Sequence, residues 1–197
     1  MTTCLTLPGL DNSGPAHWQT RWEQERDDCR RVELGCWSAP ERETWIGRLD
    51  EAVRTNDGRI VLVAHSLGCL ATVWWAARAR GQELERIAAA LLVAPPDVER
   101  PDMPAQVQAF APAPARPLPF PALLVASHDD PYCSFARLEE LAGRWGCALA
   151  DVGRRGHINA ESGLEEWAEG QRLLERLIAA PAVACRLTPA PATPAAG

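Results

Sequence analysis

The run Ile60-Val61-Leu62-Val63-Ala64-His65-Ser66-Leu67-Gly68-Cys69 constrains the fold more than any other stretch of the 197-residue chain. Its apolar, β-branched start reads as a buried strand, and the strand stops at one serine set between Ala64 and Gly68. Small-x-Ser-x-Gly at a strand-to-helix junction describes a turn that holds a serine hydroxyl out at its tip. The turn is so tight that the residues two before and two after the serine must be small. Ala64 and Gly68 meet that demand, although the common pattern has glycine in the first place. The competing reading of such a serine is a helix N-cap, and only partners elsewhere in the chain separate the two.

A serine hydroxyl is a weak nucleophile alone and needs a base, an acid to orient the base, and donors for an oxyanion. After the apolar strand 122–126 comes Ser127-His128-Asp129-Asp130-Pro131, a carboxylate pair at a strand's carboxyl end. Asp129 and Asp130 compete for the orienting role, and either could simply open the turn before Pro131. A further strand, 147–152, delivers the loop Gly153-Arg154-Arg155-Gly156-His157, which supplies the base. Serine, then acid, then histidine is the chain order of the α/β-hydrolase fold. The oxyanion donors expected from that fold are the backbone N–H of Leu67, just after the serine, and one from the loop 8–15 behind the first strand, 3–7. Leu10 suits this second place, because Gly9 lets the chain turn toward the site.

Around these motifs the chain alternates strand and helix. Helices are predicted over 16–26, 42–55, 67–80, 134–145 and 161–179; strands over 30–34 and 87–94 complete the set. The helix at 42–55 is amphipathic, with Trp45, Ile46, Leu49 and Val53 on one face. Strict alternation calls for a parallel sheet with helices on both faces. Six strands in the order 2-1-3-4-5-6 are expected, with the site at the carboxyl ends of strands 1, 3, 5 and 6, near the topological switch. Residues 95–121 hold nine prolines and only one candidate short helix, 103–110, so a stiff loop and not a lid domain should cover the site. Residues 181–197, dominated by Pro and Ala, read as a flexible tail behind one domain at 1–180.

Trp18 and Trp37 lie just past strand ends on the presumed active-site side and are candidate pocket walls, whereas the other six tryptophans read as core. Asn12, Ser13 and His17 of the first loop are further candidates for substrate contact. His65, beside the serine, should point away from it and serve packing. Seven cysteines without a CxxC pair form neither a disulfide framework nor a zinc site. Cys69 is expected to be inert, and Cys133, near Asp130, to be the cysteine most open to thiol reagents. A net charge of −6, from 20 basic and 26 acidic residues, argues against nucleic acid or an anionic membrane as partner. With no apolar membrane span and no signal peptide evident, the cytoplasm is the expected location.

Pro8-Gly9-Leu10, Ser13-Gly14-Pro15, His17-Trp18-Gln19, the Ala64–Gly68 elbow, Ala94-Pro95-Pro96-Asp97-Val98, Asp129-Asp130-Pro131-Tyr132 and the stretch from Gly156 to Gly163 occur in one order. In that order they resemble the bacterial branch of the YdeN-like small serine hydrolases, a family whose human member is retinoblastoma-binding protein nine. The resemblance implies a three-layer α/β-hydrolase domain with a Ser-Asp-His triad on Ser66, Asp130 and His157, the acid being the residue just before the proline. It implies acyl transfer on a small-to-medium ester, thioester or amide, with no metal or organic cofactor. The alternative it leaves is a hydrolase scaffold turned protein-interaction module, since the human relative is named for a protein partner.

Overall fold

A computed structural model of the chain describes residues 2–179. The tail expected at 181–197, and with it the end of the domain at 180, lie outside these residues. Six strands form one sheet: β1 (Thr2–Leu7), β2 (Cys29–Arg31), β3 (Arg59–His65), β4 (Ile87–Val93), β5 (Ala122–Ala126) and β6 (Ala148–Asp151). Their order is β2-β1-β3-β4-β5-β6, and every neighbouring pair runs parallel. The helices are α1 (Trp18–Glu25), α2 (Arg42–Thr55), α3 (Leu67–Arg78), α4 (Gln82–Arg86), α5 (Ala105–Gln108), α6 (Phe135–Trp145) and α7 (Ala168–Ala179).

Side chains alternate across each strand and so divide the core into two layers. Leu5, Leu7, Ile60, Leu62, Leu92 and Leu124 meet Trp45 and Leu49 of α2, Trp75 of α3, and Leu138 and Trp145 of α6. Cys4, Val61, Val63, Leu91, Val93 and Val125 meet Trp18 and Trp22 of α1 and Leu174 of α7. A strand covered on both faces has no polar alternate position, which is why 60–64 reads as unbroken apolar sequence.

β1 lies between β2 and β3. The chain leaves β1 for α1 on one face and leaves β3 for α3 on the other, so the two loops part and open a crevice at the strands' carboxyl ends. Gln19, fully buried, holds this edge together. Its side-chain amide donates to the carbonyls of Leu7 (3.3 Å) and Val63 (3.0 Å), near the carboxyl ends of the two paired strands whose loops part.

Three elements depart from expectation. Where one helix was expected over 161–179, a 3-10 turn at Ala160–Ser162 is followed by irregular backbone, and α7 begins at Ala168. Asn159 caps that turn by accepting from the Glu161 N–H, Gly163 ends it at φ 61°, and Trp167 takes φ 43° to turn its ring inward. The ring sits against Gly170, where an added Cβ would lie 2.1 Å from it, and stacks on Trp22. Tertiary packing of one tryptophan thus overrides helical periodicity. The short helix α4, opening after Gly81 at φ 61°, was not anticipated. β2 ends at Arg31 rather than reaching residue 34.

The proline-rich segment 95–121 carries only the single turn of α5 and forms no lid domain. Met103, Val107 and Phe110 are buried, and the indoles of Trp74 and Trp145 pin the segment by donating to the carbonyls of Phe110 and Pro114. No helix among the described residues is long and apolar enough to cross a membrane.

Candidate active site

Ser66 sits between β3 and α3 at φ 52°, ψ −125°, a conformation that a non-glycine residue adopts only when its surroundings hold it there. Its N–H donates to Val93 O (2.9 Å) and its carbonyl accepts from Cys69 N (2.9 Å). The side chain makes no N-cap bond to α3. The hydroxyl instead lies 2.9 Å from Nε2 of His157. The need for small neighbours has a measurable origin: a Cβ on Gly68 would lie 2.2 Å from the carbonyl oxygen of Leu7, and Ala64 is fully buried.

His157 Nδ1 lies 2.9 Å and 3.1 Å from the two oxygens of Asp130, whose side chain is wholly buried. Asp130 Oδ1 also accepts from the Tyr132 N–H at 2.9 Å. The adjacent aspartates differ in direction. Asp129 turns the other way and accepts from Ser127 Oγ (2.9 Å) and the Gly156 N–H (2.8 Å), with Ser127 Oγ in turn accepting from Arg155 N. These bonds hold its carboxyl below the usual aspartate range, the Gly156 N–H contributing most. Asp129 therefore shapes the loop that presents His157.

Two further side chains brace that loop from behind. His65 Nε2 donates to the His157 carbonyl (2.9 Å), and the Trp18 indole donates to the Ile158 carbonyl (2.8 Å). His65 does serve packing, as expected, yet its ring also lies 4.9 Å from that of His157 and borders the cavity beside Ser66. Burial holds it neutral, well below the ordinary histidine pKa.

The loop after β1 presses on the nucleophile. A Cβ on Gly9 would stand 2.7 Å from Ser66 Cβ and 3.2 Å from Leu67 N, so only glycine allows the approach. Among the described residues, the N–H groups of Leu67 and Leu10 have no acceptor, while Asp11 N donates to Trp37 O and Asn12 N to Gly9 O.

A cavity of about 380 Å³ opens over Ser66 and His157, with Leu10, Asn12 and His17 from the first loop and Met103, Pro104 and Val107 from the proline-rich segment on its walls. Three expected wall residues lie elsewhere. Trp18 is 1 % exposed in a cluster with Trp22 and Trp167, because its indole serves the histidine loop. Trp37 lies edge-on against Trp45 and supports the first loop through its carbonyl. Ser13 is buried, its hydroxyl bonded to the Gln19 side chain. Tyr132 was missed. It lies edge-on to His157 at 4.5 Å and lines the cavity; its place after the Asp-Asp-Pro turn was the available signal.

Cys133 also departs from expectation: it is fully buried, and desolvation pushes its thiol up to about 12. Cys69 is buried too, its thiol raised despite the helix N-terminus. Cys4, Asp28 and Cys29 come within metal-ligand distance of one another, but both Asp28 oxygens already accept from Arg26 (3.1 and 3.0 Å), so the group suits a cation poorly.

A half-buried serine lining the cavity from a strained elbow, a histidine within reach and a buried carboxylate behind it, at the switch point of a parallel sheet, define the hydrolase class. Residues 4–176 match the serine hydrolase family model, and the chain belongs to that family. Its structure is similar to that of a protein described as a YdeN-like hydrolase from Pectobacterium atrosepticum, 32 % identical, with TM-score 0.78 over 90 % of this chain and 91 % of the other. It also resembles the ydeN product of Bacillus subtilis (19 % identity, TM-score 0.74, 91 % and 100 % coverage). The carboxylesterase CesB of the same organism shares the fold at 14 % identity (TM-score 0.60, 90 % and 84 % coverage). No curated protein sequence matches. The chain is a serine hydrolase.

Proposed function

We propose that this hydrolase cleaves a carboxylic ester of a small-to-medium substrate through an acyl-enzyme on Ser66. The observation that carries the reading is the continuous relay from Ser66 Oγ to His157 Nε2 (2.9 Å) and from His157 Nδ1 to Asp130 (2.9 Å). As Oγ attacks the carbonyl carbon, its proton passes to Nε2, and Asp130 stabilises the imidazolium. The Leu67 and Leu10 N–H groups, without acceptors among the described residues, take the oxyanion. Collapse expels the alcohol, which leaves with the proton from Nε2, and water repeats the cycle to free the acid. Thioesters and amides follow the same steps.

The cavity volume fits ligands of this class. Asp11, Asn12 and His17 are its polar lining from the first loop. The chemistry needs no cofactor, and the acidic balance of the chain fits a cytoplasmic enzyme working on small molecules rather than on nucleic acid or membrane.

The test is p-nitrophenyl acetate turnover together with fluorophosphonate labelling. Ser66→Ala should lower kcat by roughly 10⁶-fold and abolish the label. Labelling that survives the substitution would remove Ser66 from its role.

A further inference from the structure

We infer that His17 sets specificity: its Nε2–H donates a hydrogen bond to an uncharged oxygen of the substrate lying beyond the scissile group, so that the site prefers esters carrying an ether, hydroxyl or keto oxygen. This rests on the ester-hydrolase reading above and adds the substrate class to it.

His17 is 4 % exposed and caps α1, its Nδ1 accepting from the Gln19 N–H at 3.2 Å. A neutral imidazole whose Nδ1 accepts carries its proton on Nε2. Burial first, then His157 and Arg31, lower its pKa to about 3, so the ring stays neutral and Nε2 stays a donor at any working pH. Yet Nε2 is buried and has no partner among the described residues, an arrangement that folded proteins rarely leave unexplained. The ring borders the cavity above Ser66, and with Nδ1 committed to the backbone of α1, the remaining nitrogen is the one left for an occupant.

Its distance from the reacting atoms follows from the row of rings. His17 lies 4.7 Å from His65, which lies 4.9 Å from His157, and the oxyanion at Ser66 already has the Leu67 and Leu10 N–H groups, so the acceptor left for His17 is another oxygen of the substrate. The sign of the acceptor follows from the walls. Asp11 and Glu161 line the cavity, no arginine does, and all 20 basic residues of the chain are arginine. Arg154 and Arg155 border an adjoining depression that shares Tyr132, His157, Asn159 and Glu161 with the cavity, on the side away from His17's loop. A carboxylate on the substrate would enter the cavity against two like charges, and Arg31, the cation that acts on His17, is already paired with Glu23.

The experiment is an oxygen scan. p-Nitrophenyl hexanoate is compared with isosteric analogues in which an ether oxygen replaces each chain methylene beyond the α-carbon in turn, and with the half-ester of glutaric acid. Butyl acetate and 2-methoxyethyl acetate probe the alcohol side. All rates are divided by the hydroxide-catalysed rate of the same ester to remove intrinsic reactivity. The wild-type enzyme should favour at least one oxygen-bearing ester about tenfold in kcat/KM over its hydrocarbon counterpart, the worth of one neutral hydrogen bond, and should take the glutarate half-ester least.

In His17→Asn and His17→Ser, which keep an N-cap acceptor for α1, that ratio should fall to about one. A wild-type enzyme with no preference at any position, or a preference that both variants retain, overturns the proposal. The wild-type scan decides by itself if neither variant folds. Hydrolysis of the plain ester without any oxygen preference leaves the ester reading standing and removes only this one, whereas no turnover of any ester removes both.

Discussion

Asp129 and Asp130 are chemically identical neighbours with opposite duties, and the difference lies in which way each side chain turns. Asp130 is sealed behind His157, and on the proposed mechanism it stabilises an imidazolium, so Asp130→Asn should cost about 10⁴-fold in kcat. Asp129→Asn keeps one oxygen for the Gly156 N–H and should cost no more than about tenfold, read in the same p-nitrophenyl acetate assay. A larger loss from position 129 would reverse the assignment. The sequence left both open because each precedes the same proline turn, and side-chain direction is set by bonds to a loop 27 residues away.

Cysteine chemistry is also a residue-scale matter. Cys133 is near Asp130 in sequence but buried, whereas Cys36 is exposed and its thiol is lowered chiefly by its hydrogen bond with Ser38. Iodoacetamide followed by peptide mapping should therefore modify Cys36 well before Cys133. The opposite order would mean that the segment around Cys133 opens readily.

At the scale of elements, the elbow and the loop after β1 act as one unit. Gly9→Ala would push the loop away from Ser66 and spread the paired N–H groups. We expect a fall in kcat of roughly 10²–10³-fold, the scale of losing one oxyanion donor, with the thermal midpoint nearly unchanged. Gly68→Ala would press instead on the carbonyl of Leu7, a backbone atom that cannot rotate away, and should destabilise the fold by about 1–3 kcal/mol in urea melts. Equal effects of the two on stability would mean that the Gly9 contact is structural.

Elements ruled by local chemistry were legible in advance. The apolar face of α2 matches its 14 residues, and the elbow is legible from residue size once its partners downstream are counted with it. The 160–167 turn was not, since Trp167 pays no heed to periodicity when its ring has Gly170 and Trp22 to meet. Trp18 and Trp37 were placed on the correct side of the sheet. Which way their rings turned depended on Ile158 and Trp45, contacts no local pattern records.

Across the whole molecule, the row of His17, His65 and His157 couples site and stability. His17 and His65 are buried as neutral rings, their folded pKa values depressed, while the unfolded chain binds protons near the ordinary value of about 6.5. Between that value and about 3, where His17 titrates in the folded protein, the unfolded state holds more protons. Stability is thus full above about pH 6.5 and falls as the pH drops, by up to about 1.4 kcal/mol per pH unit for each ring. Urea midpoints measured from pH 7.5 to 4.5 should decline, and less steeply in His17→Asn. A flat profile would place these rings in contact with water. The sheet order and two-layer core followed from alternation, but this histidine row did not, because its members lie at 17, 65 and 157 and meet only once the sheet has formed.

On the proposed mechanism Ser66 forms a covalent acyl-enzyme by attack on an ester. Rapid mixing with p-nitrophenyl acetate, acid quench and peptide mass mapping tests this directly. A transient acetyl group should appear on the peptide containing Ser66 and be absent in Ser66→Ala. An acetyl group on another residue, or turnover with no acetylated intermediate in a burst-phase experiment, would contradict it.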